Sequence, residues 1–462
     1  MDSANRWGDE TNASGPSGPS GLPAWVKILL LLLLIVAVAS FVVLVPRSPA
    51  PISRPVPESP APISPDPLGL ILPPVAAEGR ARPKFDDPQP EPGAFAGIES
   101  CRECHAERVA EFQQTSHFLT SRPATSDSVL GHFGGQNDLL PCPSADNLRI
   151  VMERREGGLW QSAIVEHQGE QYVYSRPLDV VTGSGKIAQT YLFWEDSRLY
   201  ELPASYSTTL ARWVHSPGYQ DTEARFARNV VPSCMRCHAT YMQEGDKATN
   251  HYVRETIIYG VTCERCHGGG TRHVQFQRAA DVDRTLASDP IVKPATLSRQ
   301  RQLEICTQCH GGNGRLLKPA FAYQAGKPLS VFIQQETEPG RHRIGMHTTN
   351  QLARLKLSSC FLNDQSMTCT TCHDPHHRER ADTQLFSQRC QQCHEASACP
   401  PARRLGKLAE ENCIDCHLPK AQDLDVPLQG GGELTFPEMR DHWIRIGREL
   451  SETIERKWRD GA

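Results

Sequence analysis

The chain has 462 residues, a formal charge of −4, 22% charged and 7% aromatic side chains. That balance indicates neither a nucleic-acid binder, which needs a basic excess, nor a disordered acidic protein. The outlying feature is a count of 17 cysteines.

In chain order, residues 28–45 (ILLLLLLIVAVASFVVLV) hold a single polar residue, Ser40, and Ala24, Trp25 and Val26 extend the run past Lys27. The segment 24–45 is expected to form a transmembrane anchor behind a 1–23 tail, being long enough to cross a bilayer. A cleaved signal peptide competes, with Ala37-Val38-Ala39 as its small-x-small cleavage site. Residues 46–93 contain 15 prolines and no apolar period, so 46–95 reads as a semi-rigid polyproline linker rising roughly 3.1 Å per residue.

Residues 101–117, CRECHAERVAEFQQTSH, open a pattern that recurs: Cys101, Cys104, His105; Cys234, Cys237, His238; Cys263, Cys266, His267; Cys306, Cys309, His310; Cys369, Cys372, His373; Cys390, Cys393, His394; and Cys413, Cys416, His417. Between His105 and His238 lie 133 positions, against 29, 43, 63, 21 and 23 for the later intervals. The long interval alternates apolar and polar residues in LRIVMERR (148–155), QSAIVEHQ (161–168), EQYVYSRP (170–177) and TYLFWEDSRLYELP (190–203). It predicts a small antiparallel β insertion at about 140–210. From 230 onward short helices are expected to carry the motifs. A last helix at 437–458 is expected to pack through Trp443, Ile444, Ile446, Leu450 and Ile454.

Histidine is 18 of 462 residues, so composition cannot place one behind every Cys-x-x-Cys pair. The spacing suits c-type haem: two thiols on one turn form thioethers to the haem vinyls, and the next side chain is aimed at the iron. Paired zinc sites need no His at a fixed place, and thioredoxin-like redox motifs do not recur in this way. Seven covalently bound haem c groups are therefore expected, with the fourteen motif cysteines as attachment points and the seven motif histidines as proximal ligands. The 365 or so residues beyond the linker leave roughly 52 per haem, too few for ordinary apolar cores. The expected fold is mainly α with little regular structure around a multihaem core, plus the β insertion and an N-terminal transmembrane helix. Haem attachment takes place outside the cytoplasmic membrane, so the expected placement is single-pass, with the haem domain (96–446) on the periplasmic side.

The segments CRECHAERVAEFQQTSHFLTSR, GSGKIAQTYLFWEDSRLYELPASY, WVHSPGY, YGVTCERCHGGGTRHV, MHTTNQ, MTCTTCHDPH and NCIDCHLPK with DHWIRI behind it resemble the cytochrome c-552/c-554 family of multihaem cytochromes c. The likeness is to the planctomycete-like form and spans about 97–446. The resemblance implies His273, His347, His376 and His442 as distal ligands, beside His117, which the need for a second imidazole singles out. His215, His251, His342 and His377 are second-rank candidates, followed by His132 and His167. The same resemblance implies a Cys360–Cys399 disulfide, against three free thiols with Cys142. It also implies an electron carrier exchanging electrons with redox partner proteins or a quinol-linked membrane complex. The alternatives are an oxidoreductase acting on nitrite or hydroxylamine at a five-coordinate haem, and a structural subunit presenting haems within a larger complex. The Cys-x-x-Cys-Lys motif that marks pentahaem nitrite reductases does not occur here.

Overall fold

A short strand, β1 (Ser121–Pro123), precedes a four-stranded antiparallel sheet of β2 (Leu139–Pro141), β3 (Leu148–Arg155), β4 (Gly158–His167) and β5 (Glu170–Pro177), paired in sequence order. The β4–β5 hairpin closes from His167 to Glu170 through Gln168 (φ 53°) and Gly169 (φ 84°). Two successive positive φ values match the right-handed twist of the flanking strands.

A second sheet follows, of β6 (Val180–Thr182), β7 (Ala188–Glu195), β8 (Arg198–Glu201), β9 (Ala204–Ser207), β10 (Arg212–His215) and β11 (Arg228–Asn229). It runs β1-β6-β7-β8-β11, with β9 pairing both β7 and β10. The structure is a computed structural model describing residues 66–72, 83–135, 138–145, 147–281, 283, 287–312, 314–335, 350–399, 402–423 and 426–459. All belong to the second of two units, Ala61–Ala462.

β7 explains why its sequence reads as a continuous apolar run rather than an alternation. Its odd positions, Tyr191 and Phe193, enter a core shared by both sheets with Ile150, Ala163, Val165 and Trp213. Its even positions, Leu192 and Trp194, enter a second core with Met235, Tyr241, Tyr252 and Phe321. A strand buried on both faces loses its polar positions. Met235 lies inside the second attachment motif, so the β region shares a core with the motif-bearing part.

His215 on β10 is buried, and neither ring nitrogen has a hydrogen-bond partner. Burial pushes its pKa below the usual imidazole value, with the negative charge of Asp221 opposing. The folded state thus takes up a proton less readily than the unfolded one. The contribution is complete above about pH 6.5 and is lost as pH falls, at about 1.4 kcal/mol per unit of depression. His215→Phe is expected to shrink the drop in urea midpoint between pH 7 and pH 5.

Three expectations are corrected. The fold is β-rich, not mainly α: antiparallel strands dominate to Asn229, and two-stranded ladders recur at Ala239–Tyr241 with Ile258–Tyr259, Gly314–Leu316 with Ile333–Gln335, Lys420–Gln422 with Glu438–Arg440 and Leu428–Gly430 with Glu433–Thr435. The physical reason is that an attachment motif needs only one turn, so nothing in these segments sustains a long 3.6-residue stripe. Second, no helix among the described residues is long and apolar enough to cross a membrane. The expected transmembrane helix and single-pass placement in the cytoplasmic membrane therefore have no support in the structure. Segments 1–23 and 24–45 lie outside the described residues, as does most of 46–95. The last helix runs Arg448–Arg459 rather than 437–458. Trp443 and Ile446 precede it and are exposed, so they form no packing stripe.

Candidate haem sites

Every attachment motif sits on a single helical turn. Cys101–His105 lies in Ile98–Phe112, which breaks at His105 (φ −122°, ψ 40°). The second, third and seventh motifs fill Pro232–His238, Cys263–His267 and Cys413–His417, and the fourth ends Arg299–His310. Local sequence fixes these turns. Pro232 starts one, Gly268 (φ 80°) stops another, the Asn412 side chain accepts from the Asp415 amide, and Thr368 and Thr371 form a capping box. In the fifth and sixth motifs the His amide donates to the carbonyl of the first Cys, His373 to Cys369 and His394 to Cys390, both at 3.0 Å. The two thiols and the imidazole are thereby held on one turn.

The motifs are not arranged in chain order. Thiols from different motifs meet as hydrogen-bonded pairs: Cys101 with Cys263, Cys237 with Cys309, Cys306 with Cys369, and Cys390 with Cys413. In each pair that shared bond raises one thiol's pKa and lowers the other's, the lowered members being Cys263, Cys237, Cys369 and Cys413. The Cys360 thiol is in no disulfide, so the implied Cys360–Cys399 bridge is not formed. Backbone bonds supply the other links. Arg265 donates to the Arg236 carbonyl (3.0 Å), Gln308 to that of Arg265 (3.4 Å), and Arg389 to that of Cys372 (2.5 Å). The first motif thus adjoins the third, the third adjoins the second and fourth, and the rest follow through fifth, sixth and seventh. Glu264 secures the first of these contacts, accepting from the amides of Ala96 (2.7 Å), Gly97 (3.1 Å) and Gly270 (2.8 Å).

Three expected distal histidines stand opposite motif imidazoles. Ring centres are 6.2 Å apart for His117 and His310, 6.2 Å for His267 and His376, and 6.1 Å for His373 and His442. Two metal–nitrogen bonds of about 2 Å, plus roughly 1.1 Å from each nitrogen to its ring centre, span about 6 Å. The donor set therefore fits a haem iron between each pair. Second-sphere contacts fix the tautomer. The Nδ1 of His267 donates to the Val292 carbonyl (2.9 Å), that of His417 to Arg445 (3.1 Å) and that of His442 to Arg440 (3.3 Å). His376 donates to Asp374 (3.0 Å) and His273 to Asp289 (2.7 Å). A carbonyl or carboxylate can only accept, so Nδ1 carries the proton and Nε2 is left as a ligand. Burial, reinforced by neighbouring imidazoles, lowers the pKa of His117 and His442 to about 4, keeping both neutral as ligation requires.

The remaining expectations fare differently. His273 is held by Asp289 but faces no motif ring among the described residues, and His347 and His342 lie outside them. His377 binds Arg108 (3.0 Å), His132 packs edge-on against Tyr206, and the backbone of His251 forms an isolated antiparallel β-bridge with Arg198. His167 ends β4 and His215 lies buried in β10. Among the described residues no group of three His, Cys, Asp or Glu side chains is arranged to hold a metal ion. Sequence reasoning missed the cross-motif thiol pairs, since nothing in the local pattern records them.

A family model described as cytochrome c554 and c-prime matches residues 191–268, which take in β7 to β11 and the second and third motifs. The multiheme cytochrome MtrA of Shewanella baltica (strain OS185) is 24% identical over 194 residues, covering 37% of this chain and 55% of the relative. The chain thus spans about half the length of the curated relative it matches. The outer cell wall cytochrome OcwA aligns over 78% of this chain and 81% of its own at 15% identity, with a TM-score of 0.45. That last likeness is too loose to carry an argument. The family match, which takes in two attachment turns, and the multihaem relative support a multihaem c-type cytochrome with covalently bound haem c, and the imidazole pairs are spaced to suit its iron.

Proposed function

We propose that the chain binds seven haems and relays single electrons between redox partner proteins, a quinol-linked complex being one such partner. The observation that carries this reading is the unbroken succession of motif contacts, first–third–(second, fourth)–fifth–sixth–seventh. Bound haem supplies a reversible one-electron iron couple. The polypeptide supplies the rest: thiols that anchor, imidazoles held in one tautomer, and turns packed so that neighbouring sites touch. Cys101, Cys104, Cys234, Cys237, Cys263, Cys266, Cys306, Cys309, Cys369, Cys372, Cys390, Cys393, Cys413 and Cys416 are assigned to attachment, and the motif histidines to proximal ligation. His117, His376 and His442 are assigned as distal ligands to the fourth, third and fifth sites, with His273 and His347 as distal ligands to others.

Mass spectrometry of the denatured, fully matured protein is expected to show seven haem increments, and five or fewer would overturn the assignment. Low-temperature paramagnetic resonance of the oxidised protein is expected to show low-spin iron throughout. A high-spin iron that binds and turns over nitrite or hydroxylamine would replace the carrier reading with an enzymatic one.

A further inference from the structure

The second and third motifs each place an arginine before their second cysteine, Arg236 and Arg265, and both side chains are more than nine-tenths buried. Surface arginines in such motifs would be unremarkable, but these two meet. Arg265 donates through Nη2 to the Arg236 carbonyl (3.0 Å), and Arg236 donates through Nη1 to the Gln308 carbonyl in the fourth motif. The guanidinium of Arg265 lies over the Phe321 ring at 5.5 Å. The Nε of each arginine and Oε1 of Gln308 are buried without a hydrogen-bond partner. Among the described residues neither arginine has a carboxylate within ion-pair distance, although buried cations are ordinarily paired. Nearby Glu264 is committed to three backbone amides, and Glu304 pairs with Arg301.

Among the described side chains, the groups placed to offset these charges are thiols: Cys237, Cys266 and Cys309 lie near Arg265, and the Cys309 thiol lies 3.8 Å from the Arg236 carbonyl. Attachment removes that possibility. Each thiol sulfur bonds one vinyl carbon while its hydrogen goes to the other, leaving a neutral thioether and consuming no oxidant. Guanidinium groups stay charged at any relevant pH. Two positive charges, paired with no described protein carboxylate, therefore remain where three motifs converge, and with weak screening by solvent and salt they would act on the iron and on the propionates of bound haem alike.

We propose that Arg236 and Arg265 are potential-setting residues that raise the reduction potential at the second, third and fourth attachment sites, making this junction the point where electrons collect. A nearby positive charge favours the reduced, less positive iron site, so these sites should reduce before the peripheral ones. The inference rests on the haem assignment above.

The test is a spectroelectrochemical titration of the intact haem-loaded protein. In Arg236→Gln and Arg265→Gln the highest-potential fraction is expected to shift downward. The shift should correspond to at least a tenfold change in electron partition, which is 59 mV for a one-electron couple. Arg236→Lys, which keeps the charge, is expected to restore most of it. Arg265→Lys, which likewise keeps its charge, guards against misfolding of the glutamine variants and is expected to restore most of the potential at that position. Unchanged potentials in fully loaded Arg236→Gln and Arg265→Gln would overturn the inference while leaving the haem assignment standing. An unloaded wild-type protein would instead sink the assignment itself.

Discussion

Replacing His376 by alanine is expected to convert one iron of the oxidised protein from low to high spin while leaving the number of attached haems unchanged. The His376 ring is 6.2 Å from that of His267, centre to centre, and its Nδ1 is held by Asp374. Attachment at that site rests on Cys263 and Cys266, on the turn that carries His267, so truncating the facing side chain removes a ligand without removing an anchor. The orienting carboxylate can be tested separately. Burial alone would raise the Asp374 pKa, but the His376 amide and ring outweigh it and hold the group ionised. Asp374→Asn is expected to weaken His376 ligation by roughly 10- to 100-fold, the usual consequence of losing such a partner. A paramagnetic resonance spectrum reads both. His167→Ala, at the end of β4 opposite Glu170, is expected to leave the spectrum unchanged.

Asp441→Ala is expected to destabilise the protein by about 3–5 kcal/mol, the cost typical of stripping one partner from a buried ion pair. The carboxylate has no exposed side-chain surface. It accepts from Arg354 Nε (2.7 Å) and Nη2 (2.6 Å), from Arg445 (2.5 Å) and from the Trp443 amide (3.0 Å). Burial by itself would raise its pKa, and these donors reverse the sign. Removing it leaves two guanidiniums packed on the Trp443 ring, at 5.4 and 4.6 Å, with no anion between them. The next residue is His442, whose ring faces that of His373 at 6.1 Å. Loss of Asp441 should therefore both lower the unfolding midpoint, by roughly 10 °C at 2–4 °C per kcal/mol, and raise the high-spin fraction. A fall in stability with an unchanged spectrum would show that Asp441 supports the fold without positioning His442.

The attachment chemistry could be read from sequence because it is local: two thiols and an imidazole must share one turn, and a spacing of three and one residues records that fully. The β hairpins were legible for the same reason, since 148–177 is rich in β-formers with a partial apolar–polar alternation and turns at Gln168-Gly169. β7 was harder to assign to a face, because Tyr191 to Trp194 are all apolar, and only the two cores packed against it explain the run. The predominance of helix expected from the motif turns proved wrong, because one turn suffices for attachment and the intervening chain pairs as short strands. The sequence by itself determined which residues can anchor haem and which histidines could serve as second ligands. Tertiary structure alone decided that His117 faces His310 rather than its neighbour in sequence, that the first motif adjoins the third, and that Arg236 and Arg265 share a buried junction. Those facts join positions 29 to 193 residues apart, and the contacts that join them arise only when the turns pack, so no local pattern can encode them.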